Sequence, residues 1–185
     1  MDTGHARCLT ISCVPSTPDV PLAYFLTWST YGSRLHGDQR GSVERANRNP
    51  NLTTYESRPN LESFERNLLH APIMRLDQRS QQVVLSTFRE VSQFRHWRLW
   101  AAHIRTEHVH VVIEAEARPE KVVVDLKARA TRLLREAGLI GKDQQLWTQH
   151  ASTRHLWNLD SLERAIHYTL HEQGEPMAMF DGRET

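Results

Sequence analysis

The stretch Trp97-Arg98-Leu99-Trp100-Ala101-Ala102-His103-Ile104-Arg105-Thr106-Glu107-His108-Val109-His110-Val111-Val112-Ile113 decides the fold. Trp97 to Ile104 reads as one strand. The segment from His108 reads as another, because Val111, Val112 and Ile113 are β-branched and the run is bounded by polar residues. Glu107 and its neighbours make a short turn between them, which predicts a hairpin. A parallel pair needs a crossover of a dozen or more residues, so a doubly wound parallel sheet does not fit this stretch.

Working outward, Ala23-Tyr24-Phe25-Leu26-Thr27-Trp28-Ser29-Thr30 predicts a buried first strand. From Asp77 to about Arg95 the residues Val83, Val84, Leu85, Phe88, Val91 and Phe94 recur at helical spacing behind an Asp77 N-cap. Pro119 opens a second helix through Val122, Leu126, Ala130, Leu133 and Leu134 to Ala137, closed by Gly138. Leu146 to Trp157 predicts a fourth strand, interrupted near Ala151 and Ser152. Asp160 is then expected to cap a last helix from Ser161 to about Gln173, ended by Gly174 and Pro176. The tally predicts an α+β fold, a ferredoxin-like β-α-β-β-α-β antiparallel sheet with helices on one face and an added C-terminal helix. The third strand is expected at mid-sheet beside the first.

That third strand carries His108 and His110. Residues i and i+2 of a strand share a face, so the two imidazoles emerge side by side, roughly 6.6 Å apart at Cα. From there two neutral nitrogens can converge on one divalent cation, while Val109 points into a core. The ordinary alternative is a chance pair on a solvated face, since the chain holds 11 histidines in 185 residues.

The length fits one compact domain, and 39% hydrophobic residues can fill one core. Residues 1–20 are expected to form a disordered extension, and residues 21–185 a single domain with a long loop insertion at about 32–72. A net charge of +1 excludes a globally basic protein, so any nucleic-acid surface is local. Cys8 and Cys13 complete no zinc spacing and read as free thiols in a reducing compartment. No signal peptide pattern and no apolar run of ~20 residues is present. No membrane association is expected, and the expected location is the cytoplasm, on the nucleoid when bound to DNA.

Near the C-terminus stands Ile166-His167-Tyr168-Thr169-Leu170-His171-Glu172-Gln173-Gly174. A lone helical tyrosine is ordinarily a core or rim residue. A strand-borne His-hydrophobic-His pair followed by a helical tyrosine, with a carboxylate or amide one turn later, resembles the HUH endonuclease superfamily. In particular it looks like the single-tyrosine transposases of the insertion-sequence type and their REP-associated relatives. The resemblance runs from about Tyr24 to Pro176. It takes in Tyr24 to Trp28 with Tyr31-Gly32, Thr106 to Val112, Leu126-Lys127-Ala128, Leu146-Trp147-Thr148 and the Tyr168 helix.

The resemblance implies a metal-dependent single-stranded DNA endonuclease and strand transferase. His108, His110 and a third polar ligand would hold Mg²⁺ or Mn²⁺, and Tyr168 would attack phosphorus to give a 5′-phosphotyrosine linkage. The family's third ligand lies four residues after the tyrosine. Here that position holds Glu172, which helical geometry favours, whereas Gln173 better matches an amide ligand if the helix loosens before Gly174; Gln173 is preferred slightly, although ordinary helical geometry sets it about 140° from Tyr168. His167 and His171 are read as solvated surface residues. Single-stranded DNA with hairpin or palindromic ends is the implied partner, and a homodimer is left open.

Lys127, Arg129, Arg132 and Arg135 are candidate phosphate contacts, with a solvated basic helix face as the alternative. Tyr31, Arg34 and His36 are candidate contacts to a hairpin or its flank, and Tyr31 is the second candidate nucleophile. Trp147 and Trp157 are candidate stacking residues, although a core role is the ordinary expectation for each. Among rivals, a domesticated non-catalytic DNA-hairpin-binding protein keeps the same fold. A histidine-triad nucleotide hydrolase wants a third histidine where Val112 stands, and a structural zinc module lacks ligands.

Overall fold

The computed structural model describes residues 20–33 and 73–184 of the chain. The expected N-terminal extension, most of the expected loop insertion, Arg34 and His36 lie outside the described residues. The elements run β1 (Ala23–Ser29), α1 (Gln78–Phe94), β2 (Arg98–Ile104), β3 (His108–Glu114), α2 (Pro119–Glu136), β4 (Ser152–Leu156), α3 (Leu159–His171) and β5 (Ala178–Asp181). The strands form one five-stranded sheet in the order β4-β1-β3-β2-β5, with every pairing antiparallel. The α+β class is as expected, and β3 stands in the middle of the sheet.

Alternation along β3 sorts its side chains between two layers. Val109, Val111 and Ile113 enter the larger core with Leu26 and Trp28 of β1, Phe88 and Val84 of α1, and Val122, Leu126 and Leu134 of α2. Val112 enters a separate, smaller cluster with Ala23, Ala101, Leu156 and the α3 residues Leu162, Ala165, Ile166 and Leu170. The helices therefore do not all share one face. α1 and α2 cover one side of the sheet and α3 covers the other.

Local chemistry explains the boundaries. The Asp77 carboxylate accepts from Ser80 N–H at 2.8 Å, as expected of the α1 N-cap, and hydrogen bonding from the Ser80 side chain, together with that N–H, holds its pKa below the usual carboxylate range. Gly138, at φ 68°, follows α2 in the left-handed conformation that ends many helices. The expected Asp160 cap is corrected to Asn158. Its side chain accepts from Ser161 N–H at 2.9 Å, while the Ser161 hydroxyl answers to Asn158 N–H at 3.3 Å, a reciprocal box that starts the helix two residues earlier.

The expected fourth strand is shorter than Leu146 to Trp157. Trp147 makes only an isolated bridge to Thr30, and the regular ladder begins at Ser152. β5 is a strand that the sequence pattern did not single out. It closes onto β2 where β2 bulges between Leu99 and Ala101. Gly182, just beyond, donates its N–H to Trp100 O at 2.9 Å, so close that a Cβ there would fall onto the Leu99 carbonyl. No helix among the described residues is long and apolar enough to cross a membrane.

Candidate active site

β3 presents His108 and His110 on the α3 side of the sheet, with ring centroids 5.0 Å apart. His110 is buried and braced from two directions by β1. The Thr27 hydroxyl lies 3.0 Å from its Nδ1, and the Phe25 ring stacks on it at 5.8 Å and 9°. With Nδ1 engaged by Thr27, Nε2 is the atom through which His110 can coordinate a cation. Register makes this bracing possible, because Thr27 stands directly opposite His110 in the β1–β3 ladder.

α3 brings the tyrosine to the same place. The Tyr168 ring sits edge-on to both His110 and Phe25, at 5.8 Å from each, and keeps 40% of its surface exposed. The helix holds this position by burying Leu162, Ala165, Ile166, Thr169 and Leu170 and leaving Tyr168 at the rim. The site therefore holds a phenol at the rim with two imidazoles beside it, a group that can act as a nucleophile next to two that can bind a cation, with an open side toward solvent.

The expected third ligands are placed otherwise. α3 stops at His171, and Glu172 is its C-cap residue, so Gln173 lies beyond the helix. The Glu172 carboxylate lies 3.0 Å from His167 Nδ1, and the Gln173 amide donates to Tyr168 O at 3.2 Å. His167 and His171 stand on the exposed side of the helix with ring centroids 4.9 Å apart. Among the described residues no group of three or more His, Cys, Asp or Glu side chains is placed to hold a metal. The donor set fits a cation through two imidazoles, with neither Glu172 nor Gln173 joined to them.

The candidate DNA contacts on α2 lie on the opposite side of the sheet from the histidine pair. The Lys127 ammonium donates to the carbonyls of Thr148 and His150 at 2.9 and 3.1 Å, and burial lowers its pKa to about 8. It secures the connection into β4. Arg132 pairs with Glu136 at 2.7 Å on the surface, Arg135 donates to Gln144 O, and Arg129 lines a groove between α1 and α2. Tyr31 packs at the edge of the larger core, its main chain bonded to Leu146 and Met74. Trp147 is buried as ordinarily expected. Trp157 is not a core residue: it is 53% exposed and stacks on His155 at 5.8 Å.

Three residues at the site were not singled out in the sequence: Phe25, Thr27 and His103. Phe25 and Thr27 became visible only through the β1–β3 register. His103 was hidden by the β2 bulge, since counting alternate residues from Leu99 assigns it to the larger core, whereas the extra residue turns it toward α3.

Residues 73–159 match the family model described as "Transposase IS200 like". Over those residues the chain resembles the IS200-like transposases. The IS200-like stretch contains α1, β2, the His108–His110 strand, α2 and β4, and ends before Tyr168. Two solved structures are similar in outline. One is a REP-associated tyrosine transposase bound to a REP hairpin, at 11% identity and TM-score 0.48, with 92% of this chain and 72% of that chain covered. The other is described as a transposase from Deinococcus radiodurans R1, at 13% identity and TM-score 0.42, with 91% and 95% covered. No curated protein matches the chain. The coarse function that the family match supports is that of a transposase.

Proposed function

We propose that this IS200-like chain is a metal-dependent nuclease that nicks and rejoins single-stranded DNA through Tyr168. The observation that carries this reading is the Tyr168 ring lying 5.8 Å from His110, on the face of β3 that also presents His108. The tyrosine oxygen forms a bond to phosphorus as the P–O3′ bond breaks. The tyrosine proton is given up, and the released 3′ oxygen ends as a hydroxyl. The product is a 5′-phosphotyrosine linkage, which conserves the energy of the broken ester, so a 3′-hydroxyl can attack it to rejoin DNA without ATP.

His108 and His110 are the residues that would hold Mg²⁺ or Mn²⁺. Bound there, the ion would supply Lewis-acid polarisation of the phosphate. Thr27 fixes which nitrogen of His110 faces the site, and Phe25 sets the plane of its ring. DNA with hairpin or palindromic ends is the substrate class this reading takes, and the 40% exposure of Tyr168 leaves it reachable by a strand.

The test is incubation of wild type and Tyr168→Phe with Mn²⁺ and labelled single-stranded hairpin oligonucleotides drawn from the DNA flanking the gene. A covalent protein–DNA band that disappears with Tyr168→Phe and with chelator supports the reading. Binding without any covalent band, across several hairpins and both metals, moves the assignment to the non-catalytic hairpin-binding protein.

A further inference from the structure

His103 is fully buried in a row of residues that crosses the sheet from Thr27 through His110 and His103 to Met179. Its Nδ1 lies 3.1 Å from the main-chain oxygen of Thr169, the residue after Tyr168. Its Nε2 accepts from Met177 N–H at 3.3 Å. A carbonyl only accepts and an amide N–H only donates, so the two contacts define the ring as neutral, with its proton on Nδ1.

The Thr169 carbonyl is one that helix geometry leaves without a helical partner. It would pair with the N–H of residue 173, but α3 ends at His171. His103 therefore caps the tyrosine helix from the sheet. Its other contact fixes the chain returning from α3 into β5. That return is held further by Arg105 Nη1 on Glu175 O at 3.1 Å and by Gln81 Nε2 on Met177 Sδ at 3.6 Å.

We propose that His103 is a positioning residue for Tyr168: by capping Thr169 it holds the last turn of α3 at a fixed height over the His108–His110 pair. The proposal rests on Tyr168 being the nucleophile. An error of about 1 Å in the height of a reacting group can cost roughly 100-fold in rate, so loss of the cap is felt at the chemical step more than in DNA affinity.

The experiment compares His103→Leu, His103→Asn and His103→Gln in the full chain. It reads single-turnover adduct formation at saturating DNA, the DNA dissociation constant, the thermal midpoint, and hydrogen exchange of the Leu170 to Gln173 amides. His103→Leu is expected to slow adduct formation about tenfold or more, leave DNA affinity within about twofold, and speed exchange in that turn. Asn places an amide N–H near the Nδ1 position and is expected to recover most of the rate. Gln reaches toward Met177 instead and is expected to recover little. Equal losses in Asn and Gln that follow the thermal midpoint would reduce His103 to a packing residue, and an unaltered rate or unaltered exchange in His103→Leu overturns the proposal. A wild type that forms no adduct overturns the nucleophile reading, and the exchange rates then still decide whether the cap exists.

Discussion

The two sides of the central sheet are built to different ends. On the α1/α2 side, β3 contributes Val109, Val111 and Ile113 to a continuous apolar core that includes Phe88, Leu126 and Leu134. On the α3 side, the same strand contributes His108, His110 and Val112, and the apolar cluster shrinks to a few residues around Ala101, Leu156 and Ile166. Through it runs the polar row of Thr27, His110 and His103, which reaches Thr169 on the helix. A strand with a period of two separates these tasks without insertion or domain division. Valines on one side stabilise the sheet, and histidines on the other are held rigid by it.

Substitutions on opposite sides should therefore separate stability from activity. The largest contrast is expected between His110→Gln and Leu126→Ala. The first should remove adduct formation while lowering the unfolding midpoint modestly. The second should cost about 2–5 kcal/mol in denaturant unfolding, with adduct formation per folded molecule unchanged. Loss of activity in both, or of stability in both, would mean that the two sides do not divide the work. Thr27→Val keeps the shape of β1 but removes the hydroxyl from His110, and a reduction of about 10–100-fold in metal affinity or nicking is expected, read by Mn²⁺ titration. Asn158→Ala, at the start of the tyrosine helix, should cost about 1 kcal/mol through loss of the reciprocal cap.

The smallest effect concerns pH. Burial holds the His103 pKa below that of the unfolded chain, so between the folded and unfolded values the unfolded state binds more protons. Stability should then rise with pH across that window and fall as pH drops below about 6.5, the ordinary histidine value. His103→Asn should flatten this part of the profile, as followed by urea unfolding at several pH values.

Much of this was legible in the sequence, for identifiable reasons. The hairpin, the two histidines and the helices behind Asp77 and Pro119 follow from local periodicity and capping. Those signals are carried within a few residues. What depended on register was not legible. Thr27 and Phe25 are ordinary strand residues until β1 pairs with β3, and His103 changes side only because of a bulge. β5 is four residues long and presents no alternation to read. Of the two third-ligand candidates, Glu172 assumed a helix running through that residue and Gln173 a helix that loosens before Gly174; the helix does end at His171, but Glu172 turns its carboxylate to His167 and Gln173 donates to the Tyr168 carbonyl. A core role was the ordinary expectation for Trp157, with base stacking as the alternative, yet it follows the last residue of an edge strand and stays half exposed.

The most direct measurement is peptide mapping of the covalent protein–DNA complex after nuclease trimming. The account predicts a nucleotide remnant on the tryptic peptide that follows Arg164 and contains Tyr168, located by fragmentation to that tyrosine. A remnant on Tyr31, or on any residue away from α3, would contradict it.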